Sequence, residues 1–522
     1  MSEKNYPSAQ TLTDYAVENL TRVIAIDSQS DELSDAIPST EGQRRLSDEL
    51  RRYFESLSFH CEQDENANLI VSVPARSTGN RGPIALMVHI DTAKGTLAVP
   101  ELCVLPSWDG TAVPYPKNPH LQVSTETFPT TRAYQGHDVL HGPGTAPVGF
   151  DDKLGVAQLM TLARVLAESP DLETPELLLV FRPDEEIGRM SAITGLAETL
   201  AKRGVTHGYT IDGLEPFEIN TENFNASQAT VDVEGSTLDA PDASRKLTLN
   251  VYGCKSHGAT AKAEGYLNAT VIFARLIGEF DPSEMTVVDF KSDPDSEVNA
   301  RVVLLLRAED ADALNTLEER AVSALGRALE PHAFKGARFE AESWKSATPA
   351  RNDCHRALTF VRSLIETPGP KPLLSEDSDG YEGYSNPYAI EPTENGARIY
   401  VRLRDFTKDG LEAREAHVRA VARDFGRADI AAQYVNMGPA LAARPELVAW
   451  ADDALATLGI EPKHLPIRGG TGVDPFVERG ISIANLGTGY FAPESEKELT
   501  SKQILAQTVR WLVELVRIIA RA

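Results

Sequence analysis

The sequence predicts an α/β protein whose mainly parallel sheet is interrupted by an inserted α+β region. In the first part of the chain, amphipathic helices at 11–26 and 41–58 alternate with short apolar strands at 68–74 and 84–89. Such alternation is typical of a layered α/β fold with a parallel sheet. Residues 247–344 instead follow the order strand, helix, strand, strand, helix, strand, which is a complete βαββαβ unit. The two patterns predict two kinds of domain in one chain.

The inserted region is about twice as long as one small α+β unit requires. Residues 350–440 repeat the order helix, strand, strand, helix, strand without a leading strand, and an unpaired strand, Gln228–Glu234, precedes the first unit. We therefore predict two nested ferredoxin-like units. The inner unit covers about 247–345, and the outer unit is made of 227–246 and 350–440.

The flanking segments, 1–226 and 441–522, are predicted to form the two parts of the other domain. The second part has a helix at 446–457, a strand at Ser482–Leu486 and a final amphipathic helix at Ser501–Ala520. Residues 93–148 are rich in Pro, Gly and Thr, so we expect a long irregular surface segment there.

Composition and charge exclude several classes of partner. The 522 residues carry a formal net charge of −26, which argues against binding to nucleic acid or to an anionic membrane surface. No run approaches the roughly 20 apolar residues of a membrane span, and Met1–Gln10 has no apolar signal-peptide core. The cysteines are scattered without a CxxC spacing, which favours reduced thiols. We expect a cytoplasmic protein.

Acidic side chains and one imidazole follow successive predicted strands. The strand Leu177–Phe181 stops at a proline and three acids, Asp184 to Glu186, and the strand Ile84–His89 is followed closely by Asp91. Each feature alone could be a solvated surface cluster. The carboxyl ends of parallel strands, however, are where open α/β sheets place their sites. Further acids at strand ends or turns are Asp151, Asp152 and Asp212.

This set of side chains predicts a metal site. Asp151 and Asp152 precede the helix Val156–Ala167, so either of them could instead cap that helix. One imidazole with several carboxylates is a donor set for first-row divalent ions. No cysteine belongs to the set, which favours a catalytic over a structural type of site.

Several of these segments resemble peptidase T, a group of tripeptide aminopeptidases among the dinuclear zinc exopeptidases. The resemblance implies a zinc-exopeptidase-like catalytic domain, two bound Zn ions with Mn or Co as alternatives, and a short peptide as the substrate. It is carried by ordered motifs at both ends and in parts of the middle of the chain: His89–Thr92, Gly149–Gly155, Pro183–Gly188, Tyr209–Gly213, Asn220–Ala226, Ser256–Lys262, Gly380–Tyr384, Arg404–Phe406 and Pro466–Thr471.

The resemblance also implies a role for each member of the cluster. Glu185 would be the general base that acts on a water shared by the metals, and Asp91 would orient the imidazole ligand. Four side chains would hold the ions: His89 and Asp212 on one, Glu186 on the other, and Asp151 between them.

In related dimeric enzymes a lid histidine reaches the active site of the neighbouring subunit. The resemblance implies that His257 has this role, that Asn268 assists it as a donor to the tetrahedral oxygen, and that Arg404 binds the carboxylate of the peptide. Because the lid is doubled, similar to that of peptidase V, one chain could supply these groups itself. We therefore expect that the protein can work as a monomer.

The sequence departs from the pattern of these relatives at two positions. Glu494 stands where they have a last metal-binding histidine, and no histidine follows His464. Gly472 stands where they have an aspartate. Glu494 either ligates the second metal, which would favour harder ions, or leaves that site weak or empty.

Two classes of function follow from these observations. The first is a metallo-aminopeptidase that cleaves tripeptides or other short peptides, with a dipeptidase or an N-acyl amino acid amidohydrolase as a related alternative. The second is a degenerate protein of the same fold that binds peptides without efficient turnover. The retained acids Asp151, Glu185 and Glu186 favour the working hydrolase.

Overall fold

The computed structural model describes residues 7–77, 82–238, 244–254, 266–293, 296, 298–345, 350–370, 383–467 and 469–522. The chain forms two compact units. The first unit contains residues up to Asn223, Met437–Ile467 and Thr471–Ala522, and the second contains Phe224–Asn436 with 468–470.

The strands are numbered in chain order through both units. They are β1 His60–Gln63, β2 Leu69–Val73, β3 Ile84–His89, β4 Cys103–Leu105, β5 Val139–His141, β6 Leu177–Arg182, β7 His207–Gly213, β8 Glu218–Asn223, β9 Asn225–Val233, β10 Thr237–Leu238, β11 Ser244–Tyr252, β12 Met285–Ser292, β13 Ala300–Arg307, β14 Arg338–Lys345, β15 Ala350–Arg351, β16 Tyr384–Thr393, β17 Gly396–Asp405, β18 Gly426–Tyr434, β19 Lys463–Ile467, β20 Ser482–Gly487 and β21 Leu499–Ser501.

The first unit is built on a large mixed sheet. Among the described residues, its strand order is β1-β2-β6-β3-β7-β20-β8-β19. The four central strands, β6, β3, β7 and β20, are parallel, so their carboxyl ends meet at one edge. Strands β3 and β6 are buried along their whole length, because both faces of the parallel centre are covered.

Helices cover this sheet and supply most of its core. The last helix buries apolar side chains at helical spacing, among them Leu505, Leu512 and Ile519. It packs against the helices that begin at Ala9 and Pro445. The helices of the unit are Ala9–Ile24, Glu41–Ser56, Phe150–Glu168, Thr194–Lys202, Gly438–Ala442, Pro445–Thr457, Asp474–Val477 and Lys502–Arg521. No described helix is long and apolar enough to cross a membrane.

The segment 93–148 is more ordered than the sequence predicts. Strands β4 and β5 pair with each other, and β5 pairs with β21, so three short strands form a small sheet. Trp108, Tyr115 and Tyr134 are almost fully buried beside it. Most of the segment is irregular, as predicted. The short strands and the buried aromatic side chains were not predicted, because they are too widely spaced among prolines and glycines to give a periodic pattern.

The second unit contains two antiparallel four-stranded sheets among its described residues. Their strand orders are β12-β13-β11-β14 and β16-β17-β9-β18. Strand β9 comes before the first sheet in the chain and pairs with β17 and β18, which come after it. This order is consistent with the predicted nesting of one unit in another. The helices of this unit are Ala269–Leu276, Ala311–Leu329, Asp353–Glu366 and Lys408–Ala422.

Candidate metal centre

His89 lies at the carboxyl end of β3 and is 1% exposed. Its Nε2 atom lies 2.9 Å from Asp151 Oδ1 and 3.4 Å from Asp212 Oδ1. Its Nδ1 atom is 3.1 Å from the backbone carbonyl of Asp91 and 3.4 Å from Asp91 Oδ1. The ring is therefore fixed on one side by Asp91, while two carboxylates converge on the other nitrogen.

Asp151 belongs to the turn at which the helix Phe150–Glu168 begins. The Tyr490 hydroxyl donates to Asp151 Oδ2 at 2.7 Å, which orients the carboxylate. Asp152 points elsewhere: one of its oxygens accepts from Gly155 N and the other from His89 N, each at 3.2 Å. Of the two candidate caps, Asp152 takes the structural role and Asp151 faces the site.

The acids that follow β6 are held by Asp91. The Asp91 carboxylate is fully buried and accepts from the backbone N–H groups of Glu185 and Glu186, each at 3.0 Å. The preceding residue, Asp184, is also buried and accepts from Ser39 N, Ser39 Oγ and Gln43 Nε2. Both acids fix the turn from which the Glu185 and Glu186 side chains project.

Glu494 lies on the segment before β21 and has a positive φ of 52°. Its backbone N–H donates to Glu498 Oε1 at 3.1 Å. The other oxygen of Glu498 accepts from the backbone N–H groups of Val148, Gly149 and Phe150, at 2.8 to 3.3 Å. Glu498 therefore connects the segment that carries Glu494 to the turn that carries Asp151.

These contacts produce two groups of side chains that could each hold a metal ion. The ligand atoms of His89, Asp151 and Asp212 lie within 4.8 Å of one another, and so do those of Asp151, Glu186 and Glu494. Asp151 belongs to both groups, which places two potential ion positions next to each other.

Burial and the mutual repulsion of the acids both shift the pKa values of these groups. Burial alone would lower the pKa of His89, but Asp212 and Asp151 raise it well above its ordinary value. Burial raises the pKa of Glu186 well above its ordinary value, and repulsion by Asp151 adds to the shift. Burial also raises the pKa of Asp212. The folded protein thus favours either added protons or added cations at this place.

The donor set fits divalent cations. Imidazole and carboxylate are ordinary ligands of Zn and of other first-row ions. Glu186 Oε1 is buried and has no hydrogen-bond partner among the described residues, so it is available to a cation. The predicted ligand residues His89, Asp151, Glu186, Asp212 and Glu494 are therefore brought together in the first unit.

The sequence matches the model of peptidase family M20/M25/M40 over residues 112–518. The chain belongs to peptidase family M20/M25/M40. Peptidase T of Geobacillus thermodenitrificans is 24% identical over 514 residues, which cover 96% of this chain and 97% of that protein. Peptidase T of Bacillus subtilis is likewise 24% identical over 514 residues and 96% of this chain. The predicted resemblance and the prediction of a hydrolytic peptidase are confirmed.

Solved structures of two peptidases share the fold. The crystal structure of aminopeptidase PepT from Bacillus cereus matches with a TM-score of 0.56 at 16% identity, covering 97% of this chain and 99% of that one. Aminoacylhistidine dipeptidase from Vibrio alginolyticus matches with a TM-score of 0.60 at 16% identity, covering 98% of each chain. The predicted fold class is confirmed by these matches and by the mixed α/β sheet.

Two of the predicted substrate-binding residues, Asn268 and Arg404, lie in the second unit. Asn268 caps the helix Ala269–Leu276, and its amide nitrogen donates to Asn386 Oδ1 at 2.9 Å and to Pro387 O at 3.0 Å. Arg404 is 7% exposed, and its Nη1 donates to the carbonyls of Ser227 and Leu403. A substrate would have to compete with these bonds. His257 lies outside the described residues.

Sequence reasoning missed the residues that hold the ligands in place. Tyr490 orients Asp151, Asp184 orients the Glu185 turn, and Glu498 orients the Glu494 segment, each through the bonds described above. Glu498 could have been suspected, since it stands four residues after Glu494 in the same motif. Nothing in the local sequence distinguishes Tyr490 from an ordinary core tyrosine.

Proposed function

We propose that this family member is a metal-dependent aminopeptidase that releases the N-terminal residue of tripeptides and other short peptides. The observation that supports it best is the pair of donor groups that share Asp151, with the Glu185 turn held beside them by Asp91. The names of the relatives, peptidase T and aminopeptidase PepT, support the choice of substrate class.

His89 and Asp212 would hold one ion, Glu186 and Glu494 the other, and Asp151 would contact both. When bound, two divalent ions lower the pKa of a shared water and polarise the carbonyl of the scissile peptide bond. The ligands themselves are placed by neighbouring groups, Asp91 on the far side of the imidazole and Tyr490 on Asp151. Such outer partners fix the orientation of metal ligands.

Glu185 is the proposed general base. It is on the turn between β6 and the next helix, and its side chain is 16% exposed, so it borders solvent while most of it is covered. Burial raises the pKa of Glu185 to about 7, although His89 and Arg182 act to lower it. A carboxylate at this turn would accept the proton of the attacking water and return it to the leaving amine.

Glu494 makes the two ion positions chemically unequal. The position of His89 includes one imidazole, whereas Asp151, Glu186 and Glu494 offer oxygen atoms only. Imidazole suits Zn, and carboxylates suit harder ions such as Mn. We propose Zn for the first position, and Zn, Mn or Co for the second.

Elemental analysis of protein purified without a chelator tests the metal part of the proposal. We expect two divalent ions per chain, and about one per chain in the Glu494→Ala variant, because three carboxylates are then reduced to two. One ion or none in the wild-type protein, even after soaking in Zn and Mn, would contradict the assignment of Glu494.

A tripeptide assay with the metal-loaded protein tests the activity. Glu185→Gln keeps the size of the side chain but removes the base, so we expect the kcat to fall by about 10²- to 10⁴-fold while both ions remain bound. Undiminished turnover by Glu185→Gln would refute the role of Glu185. Tight peptide binding without turnover under any metal would instead identify a non-catalytic binding protein.

A further inference from the structure

Arg182 is a buried cation at the edge of the acidic cluster. It is the last residue of β6 and lies opposite His89 in the parallel pairing of β3 with β6. Its side chain is 1% exposed. Burying a guanidinium is costly unless it is paired with negative charge and its N–H groups are hydrogen-bonded. The neighbours of Arg182 should therefore reveal why it is there.

A backbone carbonyl and a carboxylate lie near the guanidinium. Nη2 donates to the backbone carbonyl of Thr471 at 2.8 Å, and the same atom lies 3.9 Å from Glu185 Oε1. Nε has no hydrogen-bond partner among the residues that the structure describes. A single carbonyl does not compensate a full charge, and the carboxylate of Glu185 supplies a counter-charge within ion-pair distance.

The turn after Thr471 is shaped to fit this pair. Gly472 has a φ of +57°, a conformation that residues with a Cβ atom adopt only under strain. A Cβ atom at Gly472 would also collide with Arg182 Nη1 and lie 2.7 Å from Glu185 Oε1. The absence of a side chain at this position thus leaves the space in which the guanidinium and the carboxylate meet.

We infer that Arg182 is a positioning residue for Glu185, and that Gly472 leaves the space for their contact. Arg182 does not touch the reacting atoms. It holds the carboxylate in one orientation, and it anchors the Thr471–Gly472 turn through the carbonyl of Thr471. The inference rests on the proposed role of Glu185 as the general base.

A double-mutant cycle tests the inference. Arg182→Met fills a similar volume without charge, and a displaced base should lower the kcat by about 10- to 100-fold. Arg182→Lys keeps the charge but not the forked donors, so its kcat should lie between those of Arg182→Met and the wild type. The KM and the metal content should change little in both variants.

The cycle is closed in the Glu185→Gln background. If Arg182 acts through Glu185, Arg182→Met should there change the kcat by no more than about twofold, since the interaction it supports is already gone. An equal loss of kcat in both backgrounds, or a full kcat in the single variant, would overturn the inference. Arg479→Lys is a matched control, because Arg479 pairs with Glu198 at 3.1 Å and lies outside the cluster.

Two further measurements keep the inference testable if the variants are unstable or the wild type is inactive. Gly472→Ala, in which Arg182 is retained, should lower the kcat while both metals stay bound. A crystal structure of Arg182→Met should show the Glu185 carboxylate and the Thr471 carbonyl displaced. If both groups keep their positions, the inference fails, whereas a wild type without turnover would overturn only the proposed function.

Discussion

Asp91 is the residue whose replacement we expect to weaken both ion positions together. Its carboxylate accepts from the N–H groups of Glu185 and Glu186, and it also lies 3.4 Å from His89 Nδ1. The single buried side chain therefore supports a ligand of the first ion, a ligand of the second ion and the proposed base.

The size of the effect follows from these contacts. In Asp91→Ala, two part-buried N–H groups lose their acceptor. Each such loss costs about 1–3 kcal/mol for a buried group, so the free energy of unfolding should fall by at most roughly 2–6 kcal/mol. In Asp91→Asn, one oxygen remains to accept, and we expect about half of that loss. Loss of a group that hydrogen-bonds a metal ligand, as Asp91 does, lowers metal affinity by about 10- to 100-fold.

Metal affinity is measured by competition with a chromophoric chelator, and stability is measured by urea unfolding of the metal-free protein. We expect Asp91→Asn to release both ions at lower chelator concentrations than the wild type does. If Asp91→Asn releases only one ion early, Asp91 supports only one position. If affinity, stability and kcat all stay at wild-type values, the reasoning about this network is refuted.

Three further predictions concern other parts of the molecule. Glu494→His should raise the affinity of the second position for Zn relative to Mn, on the order of tenfold in the ratio. Competition between the two ions measures this ratio. An unchanged ratio would mean that residue 494 is not a ligand. Burial and Arg307 lower the pKa of His355 to about 4, and His355 Nδ1 accepts from Val287 N. Because the unfolded chain then binds more protons below pH 6.5, this group should remove roughly 2–3 kcal/mol of stability as the pH falls from above 6.5 to 4.5. His355→Asn keeps an acceptor but binds no proton. Urea unfolding at the two ends of this pH range should therefore show a smaller loss of stability in the variant than in the wild type. Sedimentation at assay concentration should show an active monomer; activity that appears only with a dimer would contradict the prediction drawn from the doubled lid.

The elements that the sequence predicts well are those with a strong period and clear ends. The strand at 84–89 has the bounds expected for it, and the predicted helix at 446–457 differs by one residue from the observed Pro445–Thr457. Strands β1, β8 and β19 were not predicted, because they lie toward the edges of the sheet and are short or partly polar. Their formation depends on pairing partners that are distant in the chain.

The candidate site was predictable where a metal-ligating residue type stands at a recognisable strand end. His89 and Asp212 follow from the rule that parallel strands end at a common edge, whereas Asp151 stands at a helix start and its role was implied by the resemblance. The groups that orient them could not be predicted in the same way. Glu498 contacts Val148 across 350 residues of sequence, and the contact of Arg182 with Thr471 spans 289 residues. No local pattern indicates contacts of this range.

The charges of the cluster explain why so many neighbouring residues hold its side chains in place. Asp151, Glu186 and Asp212 repel one another, and burial makes their charged forms still less favourable. The backbone N–H groups of Glu185 and Glu186 compensate the charge of Asp91, and Arg182 supplies one fixed positive charge. Bound cations would supply the remaining positive charge. An ion present at a free concentration of about 100 times its dissociation constant would add about 2.7 kcal/mol to the stability. Removal of the metals should therefore loosen the same turns that carry Glu185 and Glu494, so that the stability of the site and its activity depend on the same ions.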